Sequence, residues 1–165
     1  SFFFHPELES LGKWYRQLMG ESVGKNGKGI TPTVSIGSTD LHSMGQLYLG
    51  GIKDKLFTFI STETETNDIS VPQEPLLEIL EEVEEKRTSE IMDAILAGVK
   101  IAFLKKDLPF TELILDDISS HSLGQYIQLK MIEMMMLGEL MGVNPFDQPS
   151  VQSYKQETRK ILSSK

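Results

Sequence analysis

The sequence predicts an α/β domain, a three-layer sandwich in which a small, mainly parallel sheet is flanked by helices. Short runs rich in β-branched and aromatic residues alternate with longer segments whose apolar residues recur every three or four positions, in the order β, α, β, α, α, β, α, α. The length of 165 residues, with 39% hydrophobic and 24% charged residues, is that of one globular domain with a real core, residues 1–165.

The elements follow in order. Ser1-Phe2-Phe3-Phe4 is too short, and lacks the basic start, for a signal peptide. Three aromatics at a terminus read as the cut end of a strand, and the chain as a piece of something longer. Pro6 starts a helix with Glu7 and Glu9 in its first turn, where the helix dipole favours carboxylates. Leu8, Leu11, Tyr15 and Leu18 form its apolar stripe, and it ends before Gly24. Gly24 to Gly29 reads as a mobile turn. Val34 to Ile36 is a short strand, and Gly37-Ser38-Thr39-Asp40 caps a helix from about Leu41 to Leu49, stopped by Gly50-Gly51. Leu56 to Ser61 is a strand and Thr62 to Ser70 a loop. Glu74 to Glu85 carries six Glu around Leu76, Leu77, Leu80 and Val83, an amphipathic helix with an acidic face. Thr88 caps a further helix, Phe110 to Leu115 is a strand, Leu123 to Met141 is a long apolar helix, and Pro149 opens a last helix to Leu162.

Charge and composition exclude several roles. With 16 Lys+Arg against 24 Asp+Glu the net charge is −8, which argues against a nucleic-acid or anionic-membrane surface. Zero Cys removes disulfides, thiolate zinc sites and cysteine nucleophiles. No apolar run approaches the roughly 20 residues that span a bilayer. The expectation is a soluble, acidic, cytoplasmic domain. There is no G-x-x-x-x-G-K-[ST] and no G-x-G-x-x-G after a strand, and Gly24 to Gly29 follows a helix instead of opening one. His5, His42 and His121 lack the spacing of a zinc helix, and Asp40, His42 and Ser43 are too close in sequence to form a triad among themselves.

Five groups remain, each with a plain reading beside a chemical one. Glu9, in an otherwise apolar first turn, reads alone as a capping carboxylate. His42 lies beyond the carboxyl end of a strand, where α/β sheets bind ligands, and is a surface histidine or a proton carrier. Asn144 to Pro149, which contains Gln148, is rich in turn formers and polar groups, and is a structural or a binding loop. Lys155 on the last helix reads alone as a solvated lysine. Met131, Met134, Met135, Met136 and Met141 read as core or a dimer seam.

Taken together, these pieces resemble the glucose-6-phosphate isomerase family. Gly138 to Lys155, with Phe146-Asp147-Gln148, Val151-Gln152 and the closing Lys155, is similar to that family's C-terminal signature. Glu9-Ser10-Leu11-Gly12-Lys13 resembles its Glu-Ser-x-Gly-Lys segment, and Gly37 to His42 with Gln46 resembles the stretch that supplies its active-site histidine. Three positions depart from the pattern: Ser150 replaces Gly or Ala, Leu11 replaces a frequent Asn, and His5 stands where many members have a Gln that helps bind the substrate phosphate. The upstream Gly-Gly-Arg-Phe-Ser signature and phosphate-binding loop of the first sugar-isomerase (SIS) domain are absent from this sequence.

The resemblance implies an SIS-like fold and the C-terminal SIS-type portion of a longer isomerase of glycolysis and gluconeogenesis. It implies that Glu9 moves a proton between adjacent carbons through an enediol(ate), that His42 and Lys155 open the sugar ring, and that Gln148 helps hold the sugar phosphate. No cofactor is called for. The implied partners are the N-terminal domain of the same enzyme and a second subunit in a homodimer, which supplies the histidine of the neighbouring site. The other reading is a non-catalytic sugar-phosphate-binding regulatory SIS module, with a Ser/Thr loop from Ser35 to Thr39. Such a module does not need Glu9, His42 and Lys155 together.

Overall fold

The structure, a computed structural model, describes residues 1–63, 68–73 and 82–164. Its strands are β1 (Phe2–Phe3), β2 (Ser35–Ile36), β3 (Phe57–Thr62) and β4 (Phe110–Leu115). The helices are α1 (Glu9–Val23, entered through a 3-10 turn at Pro6–Leu8), α2 (Met44–Gly50), α3 (Thr88–Lys105), α4 (Ser120–Met141) and α5 (Pro149–Ser163). The strands form one four-stranded sheet in the order β2-β1-β3-β4, with every neighbouring pair parallel. The expected α/β class with a small parallel sheet is what the chain adopts, and Phe2–Phe3 is an inner strand of that sheet.

The chain divides into two compact units, one made of residues 1–12 and 34–123, the other of residues 13–33 and 124–165. In the first, both faces of the inner strands are covered. Phe2 pairs in register with Phe59 and Phe3 with Ile60, and all four are at most 2% exposed. Phe57 and Phe59 meet Phe103 of α3 edge-to-face at 4.8 and 5.1 Å, and Phe2 and Phe4 extend the same layer. On the other face the first turn of α1 presses on the sheet. A Cβ at Gly12 would lie 2.6 Å from Val34 and 2.9 Å from the Phe3 ring, so only glycine allows this approach.

In the second unit, Tyr15, Met19 and Val23 of α1 pack with Met134 of α4, backed by Trp14, Leu18, Leu137 and Met141. Lys130, 6% exposed, is ion-paired with Glu133 at 2.6 Å and lies 4.8 Å from the centre of the Tyr15 ring. Tyr15 in turn donates its hydroxyl to Glu133 at 2.9 Å. Burial, together with the adjacent Glu133 carboxylate, pushes the Tyr15 phenol above its ordinary range. The methionine stripe is thus core at Met134, while Met131, Met135 and Met136 are exposed.

Three expectations change in detail. The helix after β2 begins at Met44, not near Leu41, because the Asp40 carboxylate accepts the Ile36 N–H (2.7 Å) and closes a loop instead of capping a helix. The helix at Thr88 starts as expected, but Thr88 is its first residue and Arg87 its cap. Glu90 reaches back to the Arg87 N–H, and Asp68 from upstream accepts the Ser89 N–H (3.2 Å). The acidic helix expected over Glu74 to Glu85 falls largely outside the described residues, and 82–85 form a turn.

Asp117, between β4 and α4, accepts from the Ser119 N–H (2.9 Å) and the Ser122 hydroxyl (2.6 Å) on one carboxylate oxygen. The Ser119 and Ser122 hydrogen bonds hold its pKa down, to about 2. A depressed carboxylate pKa adds stability that is complete above the unfolded value near ~3.9 and is lost as pH falls through the folded value. Asp117→Asn is therefore expected to lower the urea midpoint at pH 7 and to converge with the wild type near pH 2. Midpoints measured across that window check this, and an equal gap at both ends would refute it.

Candidate active site

The loops that leave β1 and β2 carry two of the four candidate residues. Glu9 follows the end of β1 by six residues and His42 follows the end of β2 by six. The two strands are adjacent and parallel, so both loops emerge at the same, carboxyl edge of the sheet. Glu9 is the first residue of α1 and is exposed. The His5 carbonyl accepts the Leu8 N–H (3.0 Å), which closes the turn leading to it, and Leu8 is buried. Gly12, three residues on, lets this end of the helix lie against Phe3 and Val34.

His42 is exposed in a turn that two contacts hold against β1. The Gly37 N–H donates to the Phe3 carbonyl at 2.7 Å, and a Cβ at Gly37 would meet the Phe4 ring at 2.7 Å. The Gly37–Ser38 peptide is cis. Ser35, fully buried in β2, shares a hydrogen bond with the Tyr48 hydroxyl at 2.8 Å. Of the Ser/Thr loop expected from Ser35 to Thr39, Ser35 is thus turned into the core.

Gln148 and Lys155 belong to the second unit. Gln148 caps α5, Lys155 lies on the same helix, and both are exposed. The preceding loop is built from inside. A Cβ at Gly138 would meet the Pro145 ring at 3.0 Å, so the signature's first glycine is a close-packing position. Asn144 accepts the Phe146 N–H on its side chain (3.0 Å) and closes a turn of its own.

Lys25 anchors this loop, and the sequence reading missed it. It is 6% exposed, ion-pairs with Asp147 at 3.1 Å and donates to the Asn144 carbonyl. Lys28 donates to the Met141 carbonyl at the end of α4 (2.6 Å), a position that the helix dipole favours for a cation. The segment expected to be a mobile turn is thus a tight one, with Lys25 and Lys28 paired as an antiparallel bridge. Among the described residues, no group of three or more His, Asp or Glu is arranged to hold a metal ion. Nor is any helix among them long and apolar enough to cross a membrane.

Replacing Lys25 by Met keeps the stem and removes the donors, leaving the Asn144 carbonyl and Asp147 without them. The expected cost is about 1–3 kcal/mol, with faster proteolysis between Val143 and Pro149. Unfolding curves and limited digestion measure both, and unchanged loop protection would reduce Lys25 to a packing residue.

No protein-family model matches the chain. Among curated proteins it is 35% identical over 161 residues to the glucose-6-phosphate isomerase of Lactobacillus helveticus, covering 97% of this chain and 36% of that protein. It is 36% identical over 148 residues to that of Methanocaldococcus jannaschii, covering 90% and 36%. Among solved structures, a hypothetical protein from Thermus thermophilus superposes with a TM-score of 0.91 at 30% identity, over 98% of this chain and 40% of that one. A glucose-6-phosphate isomerase from Chlamydia trachomatis superposes with a TM-score of 0.80 at 18% identity over 98% and 34%, a likeness of fold. The chain spans about a third of the length of the curated relatives it matches. Along nearly all of its own length it is similar to glucose-6-phosphate isomerases.

Proposed function

We propose that this chain is the C-terminal portion of a glucose-6-phosphate isomerase, interconverting glucose 6-phosphate and fructose 6-phosphate. The observation that carries the reading is the match of nearly the whole chain to these isomerases, with Glu9 on the loop that leaves β1 at the carboxyl edge of the sheet. Aldose–ketose isomerisation moves one proton from carbon 2 to carbon 1, while a second moves between the two oxygens. A carboxylate over both carbons performs the first transfer through an enediol(ate). Glu9 takes that part. His42 and Lys155 open the ring, one serving the ring oxygen and the other the anomeric hydroxyl. Gln148 contacts the sugar phosphate.

The phosphate-binding loop and the arginine that steadies the enediolate belong to an N-terminal domain of the same enzyme, and His42 serves the site of a second subunit in a homodimer. The enzyme works in the cytoplasm, in glycolysis and gluconeogenesis. The apolar surface of the second unit is in keeping with further protein around it: α5 has no buried residue, and Tyr154, Ile161 and Leu162 are each at least 60% exposed. A regulatory sugar-phosphate module draws less support, because Ser35 spends its hydroxyl on Tyr48.

Two outcomes are expected. The isolated 165-residue chain shows no turnover in a coupled assay, and near-native turnover would refute its role as a portion of the site. In the complete enzyme, Glu9→Gln lowers kcat by about 10²- to 10⁴-fold with little change in KM, and solvent deuterium stops entering carbon 2. Retained exchange would remove Glu9 from the role of base.

A further inference from the structure

The sheet order β2-β1-β3-β4 has a switch point between β1 and β3, since the chain leaves β1 toward β2 and leaves β3 toward β4. The loops after these two strands diverge and open the crevice in which α/β sheets place ligands. A side-chain hydrogen bond crosses it. His5, two residues beyond β1 and 9% exposed, has its Nε2 3.3 Å from the Thr62 Oγ1 at the last residue of β3. Thr62 is itself fixed, because its strand pairs with β4 through Leu115 and the following Glu63 N–H donates to the Leu115 carbonyl (2.9 Å).

His5 is also where the backbone leaves the sheet. The Phe4 N–H still donates to the Ile60 carbonyl (2.8 Å), as a strand residue would. The His5 carbonyl already accepts the Leu8 N–H and closes the turn before Glu9. A rotation of the chain at His5 therefore turns the whole Pro6–Leu8 segment, and Glu9 sits at its end. The ring on Thr62 opposes that rotation.

We propose that His5 is a positioning residue for Glu9, acting through its hydrogen bond to Thr62. The inference rests on the reading of Glu9 as the base. A base must be held to a fraction of an ångström over the carbons it serves, and a displacement of about 1 Å costs on the order of a hundredfold in rate. Loosening the clamp disturbs the proton transfer and leaves the groups that bind the sugar phosphate in place, so kcat is affected and KM is not.

The test uses the complete enzyme with His5→Leu, Thr62→Val, the pair together, and His5→Gln and Thr62→Ser as conservative controls. His5→Leu and Thr62→Val are each expected to lower kcat about tenfold or more, with KM within about twofold. The pair is expected to be no worse than either alone, because both remove one interaction. The conservative variants, which keep a hydrogen-bonding group, should retain most of kcat. A rise in KM at unchanged kcat in His5→Leu would make His5 a ligand contact and overturn the inference, as would kcat losses that multiply in the pair. Should His5→Leu not fold, Thr62→Val against Thr62→Ser decides alone, and equal kcat in those two overturns it. Glu9→Gln is measured alongside: its activity would defeat the assignment of the base, whereas an inactive Glu9→Gln beside an unaffected Thr62→Val defeats the clamp only.

Discussion

The sheet hangs on a strand of two residues. Phe2, Phe3 and Phe4 are 1%, 0% and 2% exposed, and each contributes roughly 1.5–3 kcal/mol by leaving water. Their backbone is held from both sides: the Gly37 N–H donates to the Phe3 carbonyl, and the Phe4 N–H donates to the Ile60 carbonyl. Because β1 lies between β2 and β3, these bonds tie one edge of the sheet to the rest. They also fix where the functional loops begin. The loop to His42 starts from the residue bonded to Phe3, and the loop to Glu9 starts from the residue after Phe4.

Glycine does the corresponding work around that strand. Gly12 and Gly37 each stand less than 3.0 Å, measured from a hypothetical Cβ, from an aromatic ring of the Phe2–Phe4 run, one on the helix after β1 and one in the loop after β2. Side chains at either place would push the helix carrying Glu9, or the loop carrying His42, off the sheet. The glycines of these segments are therefore packing residues that let the elements carrying the candidate residues come close to the sheet. Gly138 repeats the arrangement in the other unit, beneath the Pro145 of the loop that leads to Gln148.

Much of this was legible in the sequence. The Phe2–Phe4 run, the β3 and β4 segments and the helices from 88 and 149 announce themselves by period and by turn residues, because those signals are local. What the sequence hid is long-range or specific to one side chain. Asp40 reads as a cap, yet its carboxylate turns back to the Ile36 N–H and delays the helix by three residues. Lys25 stands in a stretch that reads as a mobile turn, because the partners that bury it, Asn144 and Asp147, lie some 120 residues away. The candidate residues were found by resemblance to a family, not by pattern. Alone, Glu9 and Lys155 are surface charges, and nothing in the spacing of Glu9 and His42 says that β1 and β2 are neighbours.

That neighbouring brings two candidate residues to one edge of the sheet on little structure. Parallel strands deliver successive loops to one edge, so residues 33 apart in sequence, Glu9 and His42, reach it from two adjacent strands of two residues each. Loops of this kind are mobile by default, because their backbone is satisfied by water. Here the first is tied at its root to β3, through the Phe4 N–H and the His5–Thr62 hydrogen bond, the second to β1 through the Gly37 N–H, and each has a glycine contact. The asymmetry agrees with the proposed roles: a base that carries a proton between two carbons demands close placement, and the extra restraint stands on the loop that leads to Glu9.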